Sequence, residues 1–137
     1  MSFETIDPSQ ASQRLSTADW QYIDVRSEQE FDAGHPEGAF NIPIATLDDS
    51  GMMIPNQQFT DVIAKHFPRD SKLVLGCKMG GRSMRACEFL EQAGFANLAN
   101  MHGGFSGAPD MQGWKERNLP VSSQPLDGRD YGSLRDT

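Results

Sequence analysis

Cysteine is scarce: the 137 residues hold two, Cys77 and Cys87. Two thiols make no disulfide framework, and they fit a reducing compartment, for which we expect the cytoplasm. Histidine is nearly as rare, with His35, His66 and His102 scattered singly. Their spacing to the cysteines has no zinc-site pattern, and we expect neither a metal nor a cofactor. Positive charge is in deficit: 12 Lys and Arg against 19 Asp and Glu leave a formal net charge of −7 and a pI near 4.8. Binding to nucleic acid depends on neutralising phosphates with Lys and Arg, so nucleic acid is not expected as a partner. No apolar run approaches the roughly 20 residues of a membrane-spanning helix, and no membrane association is expected. Met1-Ser2-Phe3-Glu4 has no basic segment leading into an apolar one, unlike a secretory signal. Hydrophobic residues make up 37%, which is lean, yet 8 Phe and 2 Trp suffice for one core at this length.

What is present is alternation with clear punctuation. Residues 3–6 read as a short edge strand. Asp7-Pro8 reads as an N-cap followed by Pro at the first helical position, opening a helix to about Leu15. Residues 20–25 are apolar enough for a strand. Ser27-Glu28-Gln29-Glu30 fits a capping box and predicts a short helix carrying Phe31. Residues 34–38 form a turn-rich loop, 39–42 a second short strand ended by Pro43, and 46–53 an irregular exposed stretch. Pro55 is expected to open a third helix, along which Phe59, Val62, Ile63 and Phe67 recur at helical spacing. Lys72-Leu73-Val74-Leu75 is a compact apolar run suited to a buried strand. A glycine-rich loop follows, and residues 83–93 form a helix with Ala86, Cys87, Leu90 and Ala93 as its apolar stripe and Gly94 as its left-handed end. Residues 97–101 are a last strand and 114–117 a single helical turn. A domain over residues 1–123 is followed by a polar tail, 124–137, that is either mobile or laid over the surface. Alternation this dense argues for an α/β fold with a mainly parallel sheet.

The segment that carries chemistry is Leu75-Gly76-Cys77-Lys78-Met79-Gly80-Gly81-Arg82-Ser83. It reads as strand, tight glycine loop and helix start. Such a loop can turn successive backbone N–H groups toward one point, and the following helix adds the positive end of its dipole there. Lys78 and Arg82 add full charges nearby. All three features favour a thiolate over a thiol at Cys77 and would hold an anionic substrate or an anionic sulfur adduct. The plainer reading is a free cysteine packed at a strand end. Two glycines, two cations within five residues, and a position at the carboxyl end of a strand, where open α/β sheets hold ligands, all favour function.

These residues, with Ile23-Asp24-Val25-Arg26, Glu30-Phe31, Gly34-His35, Gly38-Ala39, Asn41-Ile42-Pro43 and Gly103-Gly104-Phe105, resemble the signature of the rhodanese family of sulfurtransferases. The resemblance runs over residues 3–121. It implies a rhodanese-like domain with a central parallel sheet of about five strands flanked by helices. It also implies that Cys77 takes sulfane sulfur from thiosulfate or a related donor as a persulfide, and passes it to cyanide, a thiol or a protein acceptor. Lys78, Met79, Gly80, Gly81 and Arg82 would bind substrate. A related group of cell-cycle phosphatases and arsenate reductases has a loop one residue longer, Cys-x5-Arg. Cys77 and Arg82 make Cys-x4-Arg, a ring suited to one sulfur atom rather than a tetrahedral oxyanion. In most relatives a Trp follows the double glycine closely. Here residues 105–113 intervene before Trp114 as a small insertion expected on the surface, and Pro36 stands where Ile is common.

Other residues have plainer roles. Cys87 lies on an apolar stripe and reads as structural rather than as a resolving thiol. His35 and His102, each beside glycine, read as turn-shaping, and His66 as a surface residue. Asp24 and Arg26, with Glu30 four residues on, read as a charged lattice that fixes the loops. Met79 serves equally as an apolar wall for an acceptor or as a bystander. The rival to catalysis is a non-catalytic binding or regulatory module whose loop is vestigial.

Overall fold

The computed structural model describes residues 3–137. Its centre is a five-stranded parallel sheet in the order β1-β8-β7-β2-β4. The strands are β1 (Glu4–Ile6), β2 (Trp20–Asp24), β4 (Phe40–Asn41), β7 (Lys72–Gly76) and β8 (Asn97–Met101). The middle strand, β7, pairs Leu73 with Gln21 and Leu98, and Leu75 with Ile23 and Asn100. Buried on both faces from Leu73 onward, it is a continuous apolar run rather than an alternating one. Successive side chains point to opposite faces and so feed two cores. Ile23, Leu73 and Leu75 join a cluster with Val62 and Ile63 of α3 (Phe59–His66) and Cys87 and Leu90 of α4 (Gly81–Gln92). Tyr22 and Val74 join Ala11 of α1 (Pro8–Leu15), Phe31 of α2 (Glu28–Ala33) and Trp114 on the other face.

Local sequence signals account for the helix starts. Asp7 and Gln10 close a capping box ahead of α1, with Pro8 first in the helix, and Ser27 and Glu30 close another ahead of α2. Gly94 takes its expected left-handed conformation, φ 97°, just past α4. No described helix is long and apolar enough to cross a membrane.

Three expectations need correcting, and the structure decides between the two alternatives for residues 124–137. Residues 46–53 are exposed but not irregular: β5 (Ala45–Leu47) and β6 (Met53–Pro55) form an antiparallel hairpin. Asp48 makes its tight turn by accepting from the N–H groups of Ser50 and Met52 at 2.9 and 2.8 Å. Pro55 therefore ends a strand, and α3 begins at Phe59 after Asn56 accepts from the Gln58 N–H. Within the turn-rich 34–38 loop, β3 (His35–Pro36) pairs with β9 (Val121–Ser122). Residues 124–137 are laid over the domain and end in a helix, α5 (Tyr131–Asp136), capped by Asp130, with Tyr131 and Leu134 buried. Lys65 and His66 of α3 bind the Arg135 and Leu134 carbonyls at 2.8 and 2.7 Å, and Asn56 donates to the Tyr131 hydroxyl at 3.0 Å. Two apolar residues at helical spacing were masked by the polar composition around them. The 105–113 insertion is exposed at Pro109, Asp110 and Gln112 but anchored at both ends by Phe105 and Gly113, which are buried.

Candidate active site

β7 delivers Cys77 to the carboxyl edge of the sheet, where the Val25 N–H still pairs with the Gly76 carbonyl at 2.9 Å. The loop that follows is held from outside by the double-glycine turn. Phe105 N–H donates to the Cys77 carbonyl (2.8 Å), Ser106 N–H to Lys78 (2.9 Å) and Gly103 N–H to Met79 (3.0 Å). With three successive carbonyls satisfied on that side, the loop is free to turn N–H groups toward the sulfur. Gly80 N–H does so, reaching Cys77 Sγ at 3.1 Å. Gly80 has φ 129°, a conformation that disfavours any side chain. Gly104 is required for close approach, since a Cβ there would overlap the Lys78 carbonyl.

Cys77 is 2% exposed. Beneath it, Ser83 Oγ lies 3.4 Å from Sγ and donates to Asn100 Oδ1 at 2.5 Å. Asn100 in turn reaches the Gly80 carbonyl at 3.4 Å. This buried Ser83–Asn100 pair ties the start of α4 to β8 and sets the loop height. Neither residue was a candidate from the sequence. Ser83 had a signal, as the hydroxyl residue closing the loop motif. Asn100 had none, being one of two asparagines in a strand far along the chain.

The charged residues sort into two braces. Asp24 and Arg26 are a buried ion pair, Arg26 Nη2 lying 2.8 Å from Asp24 and 2.7 Å from the Gly34 carbonyl. Burial opposes the Arg26 charge most, but the hydrogen bonds it donates to Asp24, together with the negative charge of Asp24 and other acidic neighbours, outweigh burial and raise its pKa. Arg82 does not reach over the loop. It forms a two-pronged pair with Glu30 at 2.7 and 2.9 Å. That fork, aided by the Ser27 N–H, holds the Glu30 carboxyl down to about 2. The expected lattice of Asp24, Arg26 and Glu30 is divided: Arg26 pairs with Asp24, and Glu30 pairs with Arg82. His35 is buried, stacked on Phe31 at 3.7 Å, with Nδ1 against the Phe31 carbonyl at 2.7 Å, and so shapes its turn as expected. His102 meets Asp110 at 3.1 Å beside the loop. Cys87 is fully buried, and burial with Glu91 and Glu88 nearby pushes its thiol up to about 12.

Lys78, Met79 and Gly81 are exposed, with Met79 at 46%. Lys78 lines a cleft of about 230 Å³ with Arg26, Glu30, Phe105 and Lys115. Phe105 is its floor, with Arg26 stacked 4.4 Å and Lys115 5.5 Å from the ring centroid. Asp24 neutralises Arg26 and Arg82 neutralises Glu30, which leaves Lys78 and Lys115 as the net charge of the cleft. In a chain of net charge −7 this is a local reversal of sign. Lys115, beyond the insertion, was missed from the sequence, and Phe105 was noted there only as part of the double-glycine turn.

Comparison with known proteins agrees with this geometry. The profile of the Rhodanese-like domain matches residues 7–108. Thiosulfate sulfurtransferase 16, chloroplastic, from Arabidopsis thaliana is 35% identical over 109 residues, which cover 80% of this chain and 85% of that protein. Senescence-associated protein DIN1 from Raphanus sativus is 34% identical over 114 residues, 83% of this chain but 58% of that longer protein. Among solved structures, Rv0390 from M. tuberculosis matches with a TM-score of 0.76 at 26% identity, covering 90% of this chain and 100% of that one.

Proposed function

The chain belongs to the rhodanese family, and from that premise we propose that it is a sulfurtransferase that carries sulfane sulfur as a persulfide on Cys77, with thiosulfate or a related anion as donor. The observation that carries the reading is the Gly80 N–H donating to Cys77 Sγ at 3.1 Å, in a loop whose outer carbonyls are satisfied elsewhere. The Cys77 thiolate attacks the sulfane sulfur of thiosulfate. The donor S–S bond breaks, and sulfite leaves with the electron pair. The terminal sulfur of the resulting persulfide is anionic, and the Gly80 N–H and the start of α4 stabilise it. A thiophilic acceptor, cyanide or a thiol, then attacks that outer sulfur, and the electron pair returns to Cys77. A protein acceptor fits the same step. Lys78 and Lys115 attract the dianion, while Asp24–Arg26 and Glu30–Arg82 keep the loops in place. The two free thiols suit a reducing compartment, and the cytoplasm is our reading of where it works.

The short Cys-x4-Arg loop and the clamping of Arg82 on Glu30 speak against a phosphatase or arsenate reductase, whose Arg must present its fork to an oxyanion. The test is steady-state thiosulfate:cyanide transfer beside hydrolysis of an aryl phosphate. Sulfur transfer lost in Cys77→Ser, with no phosphatase activity, supports the proposal. Transfer absent from the wild type would favour a non-catalytic binding module, and robust phosphate release would favour the related phosphatases.

A further inference from the structure

A second cleft, of about 330 Å³, borders the loop at Gly81 and Arg82. Its character is unlike that of the cationic cleft. Ile44 supplies carbon from the approach to the hairpin, Ala45 and Pro55 from its two strands, and Phe89 supplies an aromatic wall from α4. The volume is at the lower end of small-molecule sites, which run from roughly 300 to 1,000 Å³. Phe89 is 39% exposed, and the Arg85 guanidinium sits 5.4 Å from its centroid. Arg82 is committed to Glu30, whereas among the described residues Arg85 enters no ion pair. The cleft thus has an apolar interior, one uncommitted cation on its wall, and the cysteine loop at one end.

We infer that this cleft seats the sulfur acceptor, and that the acceptor class is a thiol with an apolar body and a carboxylate. The carboxylate meets Arg85, the body lies against Phe89 and Pro55, and the thiolate faces the loop. The inference rests on the persulfide reading of Cys77. The step balances without a further reactant. The acceptor thiolate forms a bond to the outer sulfur of the Cys77 persulfide, the S–S bond to Cys77 breaks, and the pair of electrons leaves on Cys77. The products are the acceptor persulfide and the starting thiolate. Donor and acceptor then use different clefts, the dianion entering past Lys78 and Lys115 and the organic thiol past Arg85 and Phe89.

The test loads the full chain with thiosulfate and measures transfer to 4-mercaptobenzoate, its uncharged amide and mercaptoacetate, with cyanide as internal reference, in the wild type, Arg85→Gln and Phe89→Ala. Both side chains are exposed, so neither change removes core packing. Relative to cyanide, Arg85→Gln should lower kcat/KM for 4-mercaptobenzoate about 3- to 10-fold and for the amide less than about twofold. Phe89→Ala should lower both aryl thiols about 3- to 10-fold and leave mercaptoacetate within about twofold, because only the aryl body needs the ring. Ratios to cyanide that stay level in both variants would overturn the acceptor site. Equal losses for acid and amide in Arg85→Gln would overturn the assigned role of Arg85. If Cys77 takes up no sulfur before any acceptor is added, the persulfide reading falls, and the acceptor site with it.

Discussion

Replacing Glu30 by Gln perturbs the brace that joins α2 to the start of α4, and the structure gives its size. Glu30 accepts from Arg82 at 2.7 and 2.9 Å and from the Ser27 N–H at 3.1 Å. A carboxyl held at about 2 in place of 4.5 carries, at about 1.4 kcal/mol per tenfold in proton affinity, roughly 3 kcal/mol. Arg82 and Glu30 keep 27% and 29% of their side-chain exposure, so screening by solvent reduces this to about 1–2 kcal/mol. The folded-state pKa lies below the unfolded one, so the contribution is complete above about 4.5 and is lost as pH falls through about 2. Glu30→Gln should therefore unfold in urea with about 1–2 kcal/mol less stability near neutral pH. The gap to the wild type should narrow below about pH 4.5 and close near about pH 2. Other carboxylates that titrate in that window, such as Glu4 and Asp130, are lowered in both proteins and cancel in the difference. Urea titrations of both proteins across that range decide the matter. A gap that is absent at neutral pH, or that persists unchanged into acid, would refute the brace.

Cys87→Ala should fold, keep most sulfur transfer and lose about 1–2 kcal/mol of stability, as a small core truncation does; loss of activity as complete as in Cys77→Ser would contradict this. Lys78→Ala should lower kcat/KM for thiosulfate roughly 3- to 30-fold, corresponding to about 0.7–2 kcal/mol of exposed charge. Lys78→Glu should do worse, and both losses should shrink as salt is raised; equal losses for a neutral donor with no salt dependence would mean that Lys78 only shapes the loop. Leu134→Ala should cost about 2–3 kcal/mol in thermal or urea unfolding because α5 is packed on α3; no change would mean that residues 124–137 contribute nothing to the fold.

Much of the fold could be read in the sequence where local chemistry decides it. Asp7-Pro8 and the Ser27–Glu30 box mark helix starts because caps act within a turn, and Leu73-Val74-Leu75 marks the middle strand because burial on both faces leaves no polar alternation. Hairpin β5–β6 stayed hidden because its apolar residues are exposed and its turn depends on one side chain, Asp48. Helix α5 stayed hidden because Tyr131 and Leu134 gain their meaning only when α3 is beside them. The same division holds at the site. Cys77, Gly80 and Arg82 are contiguous and legible as a loop. The role of Arg82, however, depends on Glu30, 52 residues away, and the loop's height on Asn100, 17 residues beyond Ser83. Such pairings are properties of the sheet order rather than of any spacing.

The most direct test of the account is the mass of the intact protein and of its Cys77 and Cys87 peptides after thiosulfate, before and after addition of cyanide. The account predicts a gain of one sulfur atom, carried on the Cys77 peptide, absent in Cys77→Ser and reversed by cyanide. A protein that gains no sulfur, or that carries it on Cys87, would contradict it.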